Sequence, residues 1–395
     1  MKLSPELEAL AAEVRTFVDA EVIPREAAVA AEDRQGAQGT LDELRARARA
    51  AGLWTPHLPP EHGGRGLGIL GMAALFRAMG RSLIGPAVFN CDAPDQGNMD
   101  LLLRVGSAEQ QARYLRPLAA AEVTSAFCMT EPAPGAGADP SNLRTRATPD
   151  GDGWRLEGHK WFATGAGRAG FLIVMARTSD DPREGASLFL VDRHAEGLEH
   201  VRDVETLAEP LLSHREAELR FHGVRLGPDA LLGGVGQGFR LAQARLVPAR
   251  LTHCMRWLGL ADRALTLCRE YVTTRQSFGA ALAGHQLVQE MIANGAEAIH
   301  AGNLMTWHCA QLLDAGRERE ARTFSSMTKR HVARLLCQVL DDAIQMHGAA
   351  GYSRDLPFAD WYRHARAARI ADGPDEVHTA VVARDVLAGK VSLLG

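Results

Sequence analysis

The sequence predicts an α+β fold in which helices come first, strands second and helices again last. Apolar residues recur at helical spacing from Pro5 to about Leu118, short β-like runs separated by Gly, Asp and Pro occupy roughly Val123 to Leu232, and long helical patterns resume after a glycine cluster at 233–238. The expected domains are therefore a helical one over 1–122, a β-domain over 123–232 and a second helical one over 233–395. A chain of 395 residues with 46% hydrophobic and 23% charged residues can build two or three cores and is too apolar for disorder.

Taken in order, Leu10, Val14, Phe17, Val18 and Val22 make one helical stripe, with Pro24 expected to stop it. Gly66-Leu67-Gly68-Ile69-Leu70-Gly71 matches a dinucleotide fingerprint, but turn chemistry (Pro59-Pro60-Glu61-His62-Gly63-Gly64) precedes it where a strand is required, so it reads as a loop entering a helix. Strands are expected at Trp154–Leu156, Phe171–Arg177, Ser187–Val191 and Glu216–Phe221. Gly233, Gly234, Gly236 and Gly238 read as a hinge or helix start, and helices follow over Leu251–Thr273, Gln286–Ala315, Thr323–Met346 and Asp375–Leu387. No internal repeat interrupts this order.

A net charge of −4 argues against a nucleic-acid binder. No apolar stretch reaches the ~18 to 20 residues of a membrane span. The six cysteines are scattered without a C-x-x-C pair, and Glu6, Glu8, Glu13 and Asp19 are unlike a targeting segment, so a cytoplasmic location is expected. Only Lys2, Lys160, Lys329 and Lys390 are lysines, which leaves few candidates for Schiff-base chemistry.

The segment richest in chemistry runs from Phe127 to Thr164. Phe127-Cys128-Met129-Thr130-Glu131-Pro132 leads into the glycine-rich Gly135-Ala136-Gly137-Ala138-Asp139, and Gly158-His159-Lys160-Trp161-Phe162-Ala163-Thr164-Gly165 follows. Such a loop lets backbone N–H groups approach an anion, and an aromatic and a hydroxyl two residues apart on a strand share a face, so Phe162 and Thr164 can meet one planar ring. A hairpin with a core phenylalanine is the plainer alternative. With Arg275-Gln276-Ser277-Phe278-Gly279, His285-Gln286, Gln345-Met346-His347-Gly348-Ala349-Ala350-Gly351-Tyr352 and Ile370-Ala371-Asp372-Gly373-Pro374-Asp375-Glu376-Val377-His378, these motifs span nearly the whole chain. Together they resemble the acyl-CoA dehydrogenase family. Asn90 to Met99, Phe127-Cys128-Met129, Thr252-His253-Cys254-Met255-Arg256 and Ala371 to His378 resemble the subgroup whose dehydrogenase domain is fused, in larger proteins, to a phosphotransferase-like kinase.

The resemblance implies an N-terminal helical domain, a middle β-barrel-like domain and a C-terminal four-helix bundle. It also implies FAD, an acyl-CoA substrate, an electron-transfer flavoprotein as partner and a homodimer or homotetramer. Making a 2,3-double bond in a thioester needs a carboxylate to take the α-proton and a two-electron acceptor, which no side chain provides. The aligned base is Asp372, where the family usually has glutamate; its plainer reading is a turn or cap residue. Some members place the base on the helix that here runs from Phe239 to Arg275, but its only acids are Asp262 and Glu270, and Ala249 holds the alternative position. Ala138, Arg250 and Gly373 are implied on the substrate side. Phe127, Met129, Thr130, Gly137, Ala138, Phe162, Thr164, Gln286 and Glu376 are implied at the cofactor, with Arg275, Phe278, Gln345 and Ala349 reaching it across a subunit boundary. Ala138 replaces a frequent serine, Ala349 a glycine, and Pro374 a threonine. Asn90, Asp95 and Asn98 lie where the acyl pocket is expected, pointing to a polar or branched acyl group. The rival readings are a flavin oxidase of the nitroalkane oxidase kind on the same fold and a flavin-free binding homologue.

Overall fold

The computed structural model describes residues 3–181, 184–212 and 214–392. Ser4 starts the first helix: its hydroxyl accepts the Leu7 N–H, Pro5 takes a position that needs no donor, and Glu6 and Glu8 face the positive helix end. This helix, α1 (Pro5–Phe17), buries Leu10 and Val14. Pro24 does not stop the helical run as expected. It sits in a 3-10 turn over Ile23–Arg25, behind a π turn over Val18–Val22, and α2 (Glu26–Arg34) begins at once. The missing N–H of the proline falls where the regular ladder is already interrupted.

The helices α3 (Gly39–Ala50), α4 (Ile69–Met79), α5 (Gly85–Val88) and α6 (Asp95–Val105) follow. The short α7 (Ala108–Gln110) then runs through a π turn into α8 (Arg116–Ala119). The glycine stretch before α4 is indeed a loop entering a helix. Its N–H groups are already used: Asp314 accepts from Ile69 at 2.7 Å and Leu70 at 2.9 Å, so the protein's own carboxylate fills the place a phosphate would take.

Among the described residues eight strands form one sheet: β1 (Ser125–Cys128), β2 (Arg146–Asp150), β3 (Gly153–Thr164), β4 (Phe171–Arg177), β5 (Ala186–Asp192), β6 (Leu198–Val204), β7 (Glu216–Leu226) and β8 (Leu231–Leu232). The order is β6-β7-β3-β2-β4-β5-β8, with β1 parallel to β4. Sequence reading missed β1, β2, β6 and β8, of which β6 is largely exposed and carries little apolar pattern. β4 and β5 read as unbroken apolar runs because both faces are covered. Phe171, Ile173, Met175, Leu188 and Leu190 pack towards α6, α8 and Leu241, while Leu172, Val174, Phe189 and Val191 pack with Leu219, Phe221 and Val224 inside the β-domain.

The C-terminal part holds α9 (Gly238–Thr274), a hairpin of β9 (Gln276–Ser277) and β10 (Ala280–Ala281), then α10 (Gln286–Asp314) and α11 (Glu318–His347). After these come α12 (Ala349–Tyr352), α13 (Phe358–Arg366) and α14 (Asp375–Leu387). Leu258, Ala261 and Ala264 of α9 share a core with Ile299, Val332, Leu336, Val339, Phe358 and Trp361. The first and last helical regions also share one, since Leu251, Met255, Cys309 and Leu312 pack with Phe76, Met79 and Phe89. The β-domain is tied to α2 by the buried Asp33, which accepts from Arg168 at 2.5 Å, Arg215 at 2.9 Å and the Leu212 N–H at 3.0 Å. The helix α9 touches α4, α6, β4 and β5 as well as α10 and α11, so residues on it meet all three regions.

Candidate active site

The loop between α13 and α14 places Asp372 in the left-handed region, at φ 55°, followed by Gly373 at φ 103°. Aspartate tolerates this conformation, and a side chain at Gly373 would begin 3.0 Å from His378 Nε2. Side chains on α9, α11 and α14, with Arg369 from the turn just before it, pin the segment. Arg250 Nε donates to the Asp372 carbonyl at 2.8 Å, and His378 Nε2 donates to the same oxygen at 3.2 Å while its Nδ1 takes the Ser326 hydroxyl at 3.1 Å. Lys329 Nζ donates to the Gly373 carbonyl at 2.5 Å. Two residues on, the Asp375 carboxylate gathers Arg334 at 3.0 Å and Arg369 at 2.9 Å.

The Asp372 carboxylate is left less engaged than its backbone. Its Oδ2 is buried and accepts no hydrogen bond, with His253 Nε2 3.3 Å away. Burial alone would push this carboxyl up, but the charged neighbours Arg245, Arg250 and Lys329 hold it below the usual carboxylate range. Burial pushes His253 itself down to about 3, so at neutral pH the imidazole is uncharged and the permanent cations supply the pull. The site thus presents an ionised, poorly solvated carboxylate with an open coordination position.

Arg245, four positions and a full helical turn before Ala249, was not singled out from sequence. It turns inward from α9, donates to Asn98 Oδ1 at 2.8 Å and to the Pro94 carbonyl at 3.2 Å, and lies 4.3 Å over the Phe127 ring. A cation stacked on an aromatic face in a buried place is worth a kcal/mol or two, on the order of 2. Asn98 also donates to Ser125 Oγ at 2.8 Å, and Ser125 gives both its N–H (2.7 Å) and its hydroxyl (2.6 Å) to Asp95. Asn90 is buried, and its amide donates to the Leu118 and Ala119 carbonyls at 3.0 and 3.1 Å.

Burial pushes the Asp95 carboxyl up to about 7 despite the two Ser125 donors. The folded state therefore keeps a proton that the unfolded chain releases near 3.8, and this group costs stability as pH rises from there towards 7. Asp95→Asn is expected to gain on the parent protein by on the order of 2 kcal/mol between pH 5 and pH 8. Urea-unfolding midpoints at the two pH values measure this, and a difference that does not change with pH would exclude it.

The glycine-rich loop is organised by a buried ion pair whose role sequence reading did not see. Lys160 Nζ donates to Glu131 Oε1 at 2.8 Å and to the Met129 carbonyl at 3.0 Å. Glu131 also accepts the N–H groups of Ala136, Arg144 and Thr145, and the Thr130 carbonyl accepts the Trp161 N–H at 3.1 Å. Strict alternation along β3 would put Lys160, Phe162 and Thr164 on one face. A bulge between Lys160 and Ala163 prevents it, so Lys160 is fully buried while Phe162, at φ 48°, is 43% exposed. Thr164 donates to Glu216 at 2.9 Å, a carboxylate that burial pushes up. Gly137 and Ala138 are exposed at the loop tip.

Arg275, Phe278, Gln286, Gln345, Ala349 and Glu376 are all exposed on the helical end of the molecule. Among the described residues none of their side chains bonds to the Asp372 cluster. Phe278 sits at the tip of the β9–β10 hairpin at φ 51°, 96% exposed, with His285 edge-on at 6.4 Å. Two aromatic rings held outward on left-handed backbone, Phe162 and Phe278, fit a flat cofactor that covers them. A separate surface groove of about 370 Å³ is lined by Arg144, Arg146 and Arg155 and shares no residue with the Asp372 cluster. Among the described residues no group of side chains is arranged to hold a metal ion, and no helix is long and apolar enough to cross a membrane.

Three family models match the chain: the N-terminal domain of acyl-CoA dehydrogenase over residues 4–122, its middle domain over 126–224 and its C-terminal domain over 236–387. A probable acyl-CoA dehydrogenase of Mycobacterium tuberculosis, FadE2, is 41% identical over 357 residues, which are 89% of this chain and 86% of that protein. Mouse acyl-CoA dehydrogenase family member 11 is 35% identical over 94% of this chain, but the chain spans only 49% of that protein. A solved putative acyl-CoA dehydrogenase from Mycobacterium abscessus superposes with a TM-score of 0.93 at 40% identity, covering 99% of this chain and 100% of the other.

Proposed function

The chain belongs to the acyl-CoA dehydrogenase family, and from that premise we propose that it removes the α-proton and β-hydride of an acyl-CoA thioester to give the 2-enoyl-CoA. The observation that carries this reading is the Asp372 carboxylate: ionised, pinned through its backbone and with one oxygen buried and unbonded. It takes the α-proton, and FAD, when bound, supplies the acceptor for the hydride. Arg250 positions the base by holding its carbonyl, and the Asp372 N–H with Gly373 and Ala138 would receive the thioester.

Phe127, Met129, Thr130, Gly137, Ala138, Phe162 and Thr164 would hold FAD within one subunit. Arg275, Phe278, Gln286, Gln345, Ala349 and Glu376, which are exposed and among the described residues make no side-chain bond to the Asp372 cluster, would reach the FAD of a second copy, which makes a homodimer or homotetramer part of the proposal. The onward acceptor would be an electron-transfer flavoprotein. Asp372 in place of glutamate supports grouping the chain with the subgroup that elsewhere carries a kinase domain. Arg245 and Asn98, polar and buried beside Phe127, support an acyl group with a polar or branched substituent.

The test is an anaerobic titration of the yellow holoprotein with a panel of acyl-CoAs, followed at the flavin absorbance. Bleaching by acyl-CoA, fastest with a substituted chain, is expected. Fast reoxidation by O2 with reduction by a nitroalkane alone would favour the oxidase; a colourless protein that cannot be reconstituted would favour the flavin-free homologue; a plain straight chain reacting fastest would sink the substituent.

A further inference from the structure

The mechanism above leaves His253 without a task, although its imidazole reaches the Asp372 carboxylate. It lies on α9, one turn beyond Arg250, with its ring stacked on Trp257 at 5.3 Å and 24°. Its Nε2 is 3.3 Å from Asp372 Oδ2, the oxygen that accepts no hydrogen bond. Its Nδ1 is 3.1 Å from Arg256 Nη2.

That second contact decides the tautomer. A guanidinium carries donors only, so Nδ1 must accept and the imidazole proton must lie on Nε2, facing the carboxylate. Arg256 cannot swing away at little cost, because its Nη1 also donates to the Cys91 carbonyl at 3.0 Å and to Asp92 Oδ1 at 3.2 Å. Asp92 is in turn held by His214 Nε2 at 2.9 Å. A chain thus runs from the exposed His214 through the buried Asp92 and Arg256 to the partly buried His253 and ends at Asp372.

We propose that His253 is a positioning residue for the base: Arg256 locks its tautomer, and its Nε2–H donates to Asp372 Oδ2, fixing the rotamer of a carboxylate one methylene shorter than the family's glutamate. The proposal rests on Asp372 being the base. A contact of 3.3 Å without alignment in the free protein is expected to tighten when substrate excludes water. The same geometry rules His253 out as a proton relay. To take the proton from Asp372 it would have to become an imidazolium with Nδ1 already facing a guanidinium, placing two cations together in a buried site.

The experiment compares His253→Leu, His253→Gln and Asp372→Asn in the FAD-loaded protein. A glutamine amide offers an acceptor to Arg256 and a donor to Asp372, whereas leucine offers neither. His253→Leu is expected to lower kcat by about 10- to 100-fold with little change in KM or FAD content, since misplacement by an ångström costs that much. The acidic limb of kcat/KM should move to higher pH, because a donor to the carboxylate is lost while Arg245 and Arg250 on α9, Lys329 on α11 and His378 on α14 still face it. His253→Gln should recover most of the rate and return the limb. An unmoved limb in His253→Leu, or a glutamine variant as slow as the leucine one, would overturn the proposal. Imidazole 15N shifts of the unmutated holoprotein give a reading that needs no variant to fold: a protonated Nε2 and bare Nδ1 near neutral pH are expected, and a proton on Nδ1 would overturn it. If Asp372→Asn still bleaches at full rate, the base assignment fails instead, whatever His253 does.

Discussion

Asp372→Asn is expected to slow flavin reduction by acyl-CoA by about 10²- to 10⁴-fold, the span a general base contributes. Asparagine is the substitution that isolates proton transfer. It has the same shape, it tolerates the left-handed φ of 55° at this position, and it keeps the backbone carbonyl that Arg250 and His378 hold. FAD content, thermal midpoint and acyl-CoA binding should therefore stay close to those of the parent, and the loss should appear in kcat. The parent's own pH dependence has a definite sign. Its carboxyl lies below the usual range, so the base is ionised through the neutral region and kcat/KM falls only in acid, below the ordinary 3.8 of an aspartate. A stopped-flow trace with undiminished bleaching in Asp372→Asn would refute the assignment.

Lys160→Met should produce the largest loss of stability, about 3–5 kcal/mol, because it leaves the Glu131 carboxylate buried without its cation. The pair is closed to solvent, with side chains 0% and 3% exposed. Burial would push the Glu131 carboxyl up, but Lys160 and the Thr145 N–H help bring it down to about 2. A depressed carboxylate stabilises the fold above its unfolded value of 4.5 and loses that contribution as pH falls towards 2. The variant should therefore show its deficit most strongly at neutral pH and less in acid. Adding Glu131→Gln to Lys160→Met should recover part of the loss, since it removes the stranded charge. Denaturant midpoints of the holoprotein measure both. FAD retention should fall with the single substitution as well, because Glu131 organises the loop from Thr130 to Gly137. A loss under about 1 kcal/mol would show that water reaches the pair.

Much of the helix and strand order was legible because its signals are local. Phe171–Arg177 is a strand as expected, and Asp375–Leu387 a helix with the expected ends. The helix α13 was legible too and was passed over: Phe358, Trp361 and Ala365 recur at helical spacing and are its buried face. Pro24 misled because wide and tight helical turns can absorb a proline. At β3 the period of two failed at a bulge, which sequence does not announce, so the reason given for pairing Phe162 with Thr164 was incomplete even though both flank the buried Ala163. Nothing in the sequence around Lys160 shows that its side chain meets Glu131.

By itself the sequence determined the order of helical, β and helical regions, the family motifs and the likeness of Asp372 to a catalytic base, because periodicity, glycine and proline chemistry and motif spacing all act over short stretches of chain. Tertiary structure alone decided what surrounds Asp372. Lys160 meets Glu131 across 29 residues, Arg250 meets Asp372 across 122, and Arg245 meets Asn98 across 147. The tautomer of His253 depends on a guanidinium that is itself held by the Asp92 loop. A side chain's charge state and direction are set by burial and by partners distant in sequence, and those exist only once the chain has closed upon itself.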